Sequence, residues 1–263
     1  MSRIVVLACV ALLAACYLCI LYDSGAVRQS SGQSTCDLLR AAGVELRPTH
    51  YFGKAPSADC SKTTVVRFAN MRVRRDLLDL TVELPSVNWI AFSKVTCEPG
   101  LFAGLAKCGQ LRRFAATESE PIKLEFASLP TMPQVVKVQL ASMGTLTALH
   151  LRSIAAAFPS IDSLYVHYSQ LDDEACTVIG GMSHLKHLHF ARSGITSKGL
   201  EMACRLGRLE SLGVSGEQLS DADWSTIVGL SKLSDVYCSG GAVPESISEE
   251  LKVRGVRIIE TDL

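Results

Sequence analysis

Apolar residues recur along this chain at a fixed step. Leu185, Leu188, Phe190 and Ile195 stand at offsets 0, 3, 5 and 10 of one segment. Counted from residue 209, the same offsets hold Leu209, Leu212, Val214 and Leu219. From residue 233 they hold Leu233, Val236, Cys238 and Val243, and from residue 161 they hold Ile161, Leu164, Val166 and Leu171. Four consecutive units in one 24-residue register, apolar at all four positions, define an internal repeat. Upstream the pattern continues less regularly. A 26-residue unit from Val135 carries Val138 and Leu140. The unit from Leu111 carries Phe114 but meets Pro121, beside Ile122, at its fourth position. Units from Val87 (Ile90, Phe92, Cys97) and Thr63 (Val66, Phe68, Val73) bring the number to eight, and Val256-Arg257-Ile258 closes the array.

Alternation around offsets 3 and 5 predicts a short strand in every unit. The second half of each unit has a different period. Leu200, Ala203 and Leu206 are three apart, as are Trp224, Ile227 and Leu230, and Cys176, Ile179 and Met182. That spacing predicts a helix after each strand. Between the two lie Asp172-Asp173-Glu174 and Ser220-Asp221, which look like carboxylate sites. Thr196-Ser197 occupies the same offsets without any acid. What the three share is a side chain able to accept from the free N–H groups of a helix's first turn, so they are read as N-caps.

The strand pattern resembles the leucine-rich repeat, LxxLxLxxNxL, in its short 24-residue bacterial form. The resemblance covers about three quarters of the chain. It implies an α/β solenoid with a curved parallel sheet inside and helices outside. The asparagine position of that pattern, offset 8, holds Ser119, Ser169 and Ser193, but Val95, Met71, Met143, Glu217 and Gly241 elsewhere. The asparagine ladder is therefore absent or replaced by hydroxyls. Such a pattern specifies a fold and says almost nothing of function.

The flanking segments divide the rest. Residues Ile4 to Tyr22 form a 19-residue run without a charge, preceded by Arg3 and followed by a polar stretch. At about 1.5 Å per residue it matches the ~30 Å of a hydrocarbon core, so residues 1–22 read as a signal anchor with the remainder exported. Arg3 favours a cytoplasmic amino end. Two alternatives stand beside it: lipidation at Cys16 within Leu13-Ala14-Ala15-Cys16, and cleavage to a secreted chain. Residues 23–35 read as a polar linker and 36–62 as an N-terminal cap containing a short helix ended by Gly43, over the array of 63–263. Of ten cysteines, Cys9, Cys16 and Cys19 lie in the apolar run. Cys97, Cys108, Cys176 and Cys238 take core offsets, Cys204 lies beside a helix core stripe, and Cys36 and Cys60 bracket the cap. One cap disulfide, Cys36 with Cys60, and five thiols account for the odd remainder.

Lys plus Arg equals Asp plus Glu at 26 each, and aromatic residues make up 6%. That balance argues against nucleic acid as partner. The candidate chemistry sits in HLKHLHF, residues 184–190. Offsets 2, 4 and 6 face away from the core, so His187 and His189 face out together, with Tyr165 and His167 on the strand before. His184 falls in a turn. Zinc needs three or four ligands, and no acid or cysteine joins the histidines at neighbouring outward offsets. Ser163 and Ser211 lie near enough for a nucleophilic site, but nothing supplies an acid or an oxyanion hole. The remaining outward residues include Arg67, Trp89, Arg113, Lys137, Gln139, Asp235 and Tyr237, types common in binding hot spots. Ala91, Ser93, Ala115, Thr117, Ser211, Gly213 and Ser215 form a smooth face with room for a partner.

The expected function is macromolecular recognition, by a membrane-anchored protein that is no enzyme and carries no cofactor, through Arg67, Trp89, Arg113, Lys137, Tyr165, His167, His187, His189 and Tyr237. A metal-dependent hydrolase using His167, His187 and His189, and a structural envelope component, are the alternatives. Binding through the histidines would change between about pH 5.5 and 7.5.

Overall fold

The computed structural model describes residues 34–48, 60–121 and 124–261. The expected anchor at residues 4–22, Cys16 and the side chain of Cys60 lie outside it. Among the described residues no helix is long and apolar enough to cross a membrane.

Helix α1 (Thr35–Ala41) and strand β1 (Glu45–Arg47) come first. Then follow β2 (Val65–Ala69), β3 (Arg72–Val73), α2 (Arg75–Val82), β4 (Trp89–Ser93), β5 (Thr96–Cys97), β6 (Arg113–Thr117), β7 (Lys137–Ala141) and β8 (Gly144–Leu146). The second half contains α3 (Ala148–Ala157), β9 (Ser163–Tyr165), β10 (Ser169–Leu171), α4 (Asp173–Gly180), β11 (His187–His189) and α5 (Ser197–Ala203). It ends with β12 (Ser211–Ser215), α6 (Asp221–Val228), β13 (Asp235–Ser239), α7 (Glu245–Val253) and β14 (Arg257–Thr261). Among the described residues ten strands form one sheet in the order β1-β2-β4-β6-β7-β9-β11-β12-β13-β14. All its pairings are parallel except β1 with β2, where the cap lays an antiparallel edge on the array. This is the α/β solenoid that the repeat pattern implies.

Register follows the sequence offsets. Val66 lies opposite Ile90, Ile90 opposite Phe114 and Phe114 opposite Val138. The row continues through Leu164, Leu188, Leu212 and Val236 to Ile258. From Val66 to Val236 every member is buried, and so are the inward neighbours two residues on, from Phe68 to Cys238. They pack against helix residues such as Leu151, Ile179, Leu200 and Trp224 in one core. Truncating a fully buried leucine of this row, Leu188 or Leu212, costs about 2–5 kcal/mol. The amino-terminal half adds a phenylalanine spine. Phe68 stacks on Phe92 at 5.3 Å, and Phe114 contacts Phe92 at 5.8 Å and Phe158 at 5.4 Å.

In seven of the eight units from β2 to β13 the turn after the strand holds a left-handed residue at the same offset, Gly216 after β12 being the exception. Asn70, Lys94, Glu118, Ser142, Tyr168 and Arg192 have φ between 51° and 56°, and Gly240 has φ 60°. For a non-glycine residue that conformation costs about 1–2 kcal/mol. It is held because the turn N–H reaches the next strand: Lys94 N donates to Thr117 O at 3.1 Å and Ser142 N to His167 O at 2.8 Å. One residue on, hydroxyls stand in for the missing asparagine ladder. Val95 N donates to Ser119 Oγ at 3.1 Å and Met143 N to Ser169 Oγ at 3.0 Å.

The expected caps are in place. Asp172 accepts from Ala175 N at 2.6 Å, Thr196 from Gly199 N at 3.0 Å and Ser220 from Asp223 N at 3.3 Å. Two expected α-helices are not. Leu101–Lys107 and Phe126–Ser128 are 3₁₀ turns. Pro121, Pro130 and Pro133 lack the N–H a helix needs in the second of these units. In the first, a Cβ on Gly104 would stand 3.2 Å from Leu78, a close approach that draws the connection inward.

In the cap, Ser34 caps α1, Gly43 (φ 82°) ends it, and Cys36, Leu39, Val44 and Leu46 join the core. Cys36 is disulfide-bonded. Cys97, Cys108, Cys176, Cys204 and Cys238 are free thiols. Burial pushes the thiols of Cys97, Cys176 and Cys204 up to about 12, which makes them inert. Peptide mass mapping without reductant is expected to link Cys36 to Cys60. Recovery of both residues as alkylated thiols would remove that pairing.

Candidate functional site

The outward offsets of β2 to β13 make one open sheet face, opposite the helices. Neighbouring strands lie about 4.8 Å apart, so outward side chains at one offset form rows across the sheet. Two features are built there: an aromatic row toward the carboxy-terminal strands and a pocket toward the amino-terminal ones.

The row starts at Lys137, whose Nζ lies 4.3 Å from the Tyr165 ring centre. Tyr165 and His189 follow at 4.9 Å, then His189 and Tyr237 at 4.8 Å. His189 and Tyr237 sit on β11 and β13, with β12 between them. His189 reaches across because β12 presents Gly213 there. A Cβ on Gly213 would fall 2.7 Å from His189 Cγ and Nδ1. His189 Nε2 also lies 3.0 Å from Ser211 Oγ on the same strand. His167 closes one side, 6.0 Å from Tyr165 and 5.9 Å from His189.

This geometry corrects three expectations. His189 does lie on the outward side, but its neighbours leave it only 8% exposed, so it is packed within the face. Ser211, Ser215, Ser93 and Ala115 are buried too, and the space over Gly213 holds the His189 ring; the smooth open face is confined to other positions. The titration window also moves. Burial, followed by His167, His187 and Lys137, lowers the His189 pKa to about 4, and burial lowers that of His167. His187 is half-buried beside the row, and His184 is exposed in the turn, as its offset implied.

The enzyme alternatives find little geometry. Among the described residues no three of His, Cys, Asp and Glu are grouped to hold one metal ion. The Ser211–His189 pair resembles half of a nucleophilic site. Ser211 is 5% exposed, and an imidazole with a pKa near 4 is a poor general base at neutral pH.

The pocket has a volume of about 360 Å³. Val65, Trp89, Ala91, Ala115 and Ala141 give it an apolar floor and wall, and Arg47, Arg67, Glu118, Gln139, His167 and Tyr168 surround it. Arg67 bonds Ser93 Oγ at 3.3 Å, and Arg113 Cζ lies 5.7 Å from the Trp89 ring. Trp89, Arg67 and His167 were legible as outward offsets. Arg47, from the cap, and Glu118, Ser142 and Tyr168, from the left-handed turns, were not. Those turns swing their side chains to the rim of the face, and Tyr168 is 43% exposed there with Arg192 Cζ 5.5 Å from its ring. The signal was their shared offset 7, the position that follows the outward offsets 2, 4 and 6 in each unit.

The shifted histidine gives a stability prediction. Unfolded, His189 titrates near 6.5; folded, near 4. Between these values the unfolded chain binds more protons, so stability is full above about pH 6.5 and falls as pH drops toward about 4. His189 contributes about 3 kcal/mol of that loss at most. Urea melts at pH 7 and pH 4.5 should show a smaller difference for His189→Gln than for the wild type. An equal difference in the two proteins would contradict the buried, neutral imidazole.

No family model matches the sequence, and no curated protein matches it. Solved structures are similar at low identity. One is the TLR13–ssRNA13 complex, at 12% identity and a TM-score of 0.42, covering 76% of this chain and 36% of that one. This chain thus spans about a third of the TLR13 chain. Another is an internalin, InlF, of Listeria monocytogenes, at 10% identity and a TM-score of 0.28, covering 78% of this chain and 88% of that one.

Proposed function

We propose that the protein is a recognition module. In this reading it is an exported solenoid, tethered by residues 4–22, that binds another macromolecule on the concave face of its sheet, and that macromolecule is a protein. The array is read as short leucine-rich units of the bacterial type, supported by the matching offsets of successive strands. The observation that carries the reading is the pocket beside Trp89, on a sheet face that no helix among the described residues covers. Half-buried aromatic and cationic side chains surround it, the residue types that dominate binding hot spots. The disulfide at Cys36 supports export, because such bonds persist in oxidising compartments. Equal numbers of acidic and basic residues favour a protein partner over a polyanion.

Filling the pocket tests this. Ala91 is half-buried on its floor, so Ala91→Trp adds bulk to the face without entering the core. The full chain in detergent micelles is expected to capture a defined protein from envelope extract, and Ala91→Trp should weaken that capture about tenfold or more, a change of roughly 1.4 kcal/mol. Glu201→Ala, exposed on α5, should leave it unchanged. Undiminished capture by Ala91→Trp would move the binding site off this face. Absence of any capture would favour a structural envelope component.

A further inference from the structure

Two cations on the open face stand against each other without an acid between them. Arg113 on β6 and Lys137 on β7 are directly paired in register. Like charges at opposed positions of a sheet repel. Both side chains are half-buried, and among the described residues neither forms an ion pair. Each instead lies against a ring: Arg113 Cζ is 5.7 Å from the Trp89 centre, and Lys137 Nζ is 4.3 Å from that of Tyr165. Asp162, beside β9, accepts from Ser163 Oγ at 2.6 Å and acts on Lys137 without forming an ion pair with it, and Glu118, after β6, pairs with Lys94 at 2.8 Å. Burial and then Arg113 hold the Lys137 ammonium below its ordinary pKa, against an opposing pull from Asp162. The free protein therefore holds two partly desolvated cations side by side, fixed by aromatic rings. An anion touching both relieves their repulsion through charge-assisted hydrogen bonds.

The neighbouring pocket narrows the class of anion. Trp89 is shared: one part lines the pocket and Arg113 lies over its ring. The pocket floor is alanine, which suits an apolar side chain and offers nothing to a phosphate-rich backbone. Two unmatched cations, beside Arg47 and Arg67 that share Glu45, on a chain of zero net charge are also a small footprint for a polyanion. We propose that Arg113 and Lys137 bind the carboxylate of an Asp or Glu in a partner's peptide segment, while the pocket beyond Trp89 takes an apolar side chain next to it. This rests on the recognition reading above and names the chemistry it reads.

The test uses a random peptide library displayed on phage, panned against the full chain in detergent micelles. Enriched sequences should carry Asp or Glu beside a Leu, Ile, Met or Phe. A synthetic peptide of that kind should lose about tenfold in affinity on Arg113→Gln, on Lys137→Gln, and on changing its own Glu to Gln, the size of one charged hydrogen bond. The last change leaves the protein untouched, so it stays informative if a variant folds poorly. Peptides that Ala91→Trp blocks but that lack an acid, or that ignore both cation variants, would overturn the carboxylate assignment and leave the recognition face standing. Single-stranded RNA bound in an Arg113- and Lys137-dependent manner would overturn it in favour of a phosphate ligand. Enrichment of no peptide that Ala91→Trp blocks would remove both this proposal and the face it rests on.

Discussion

The buried row from Val66 to Val236 is the constraint on which everything else depends. Successive side chains of a strand point to opposite faces, so a slip of one residue would exchange the core and the open face. Eight apolar side chains of this row, each opposite its counterpart in the next strand, make such a slip prohibitively costly. The site residues inherit their places from that register. Arg113 faces Lys137 because Phe114 faces Val138.

The second constraint is the left-handed turn. Six non-glycine residues accept a conformation that costs each of them energy, at one offset in six units. Their N–H groups bond the next strand, so each turn is tied to the following unit. The consequence for function is spatial. Glu118, Ser142 and Tyr168 are carried to the rim of the pocket by a backbone feature rather than by strand alternation.

These two constraints explain what could be read in advance. Periods of two and three located the strands, most helices and the caps at Asp172, Thr196 and Ser220, because each depends on nearby residues. The 3₁₀ turns at Leu101–Lys107 and Phe126–Ser128 were missed because an average unit was carried over segments broken by Gly and Pro. For the site, alternation told which way His189 faces but not whether water reaches it. That depends on Gly213 of the next strand and Tyr237 of the one beyond, which only the three-dimensional register brings together. The cap contribution from Arg47 was out of reach for the same reason.

The open face thus has two parts with different characters. From Tyr165 to Tyr237 it is prepacked, with a neutral imidazole wedged between two phenols. From Arg67 to Lys137 it keeps a pocket and two unmatched cations. That division depends on His189 lying over Gly213, which a double-mutant cycle measures directly. Gly213→Ala places a Cβ 2.7 Å from the His189 ring and should cost about 1–3 kcal/mol in the wild type. In a His189→Gly background, which removes the ring and also the His189 Cβ 2.9 Å away, the same change should cost less than about 0.5 kcal/mol, revealing a coupling between the two sites. Equal costs in both backgrounds would mean that the imidazole does not occupy that space, and the aromatic row and the register that places it would fall together.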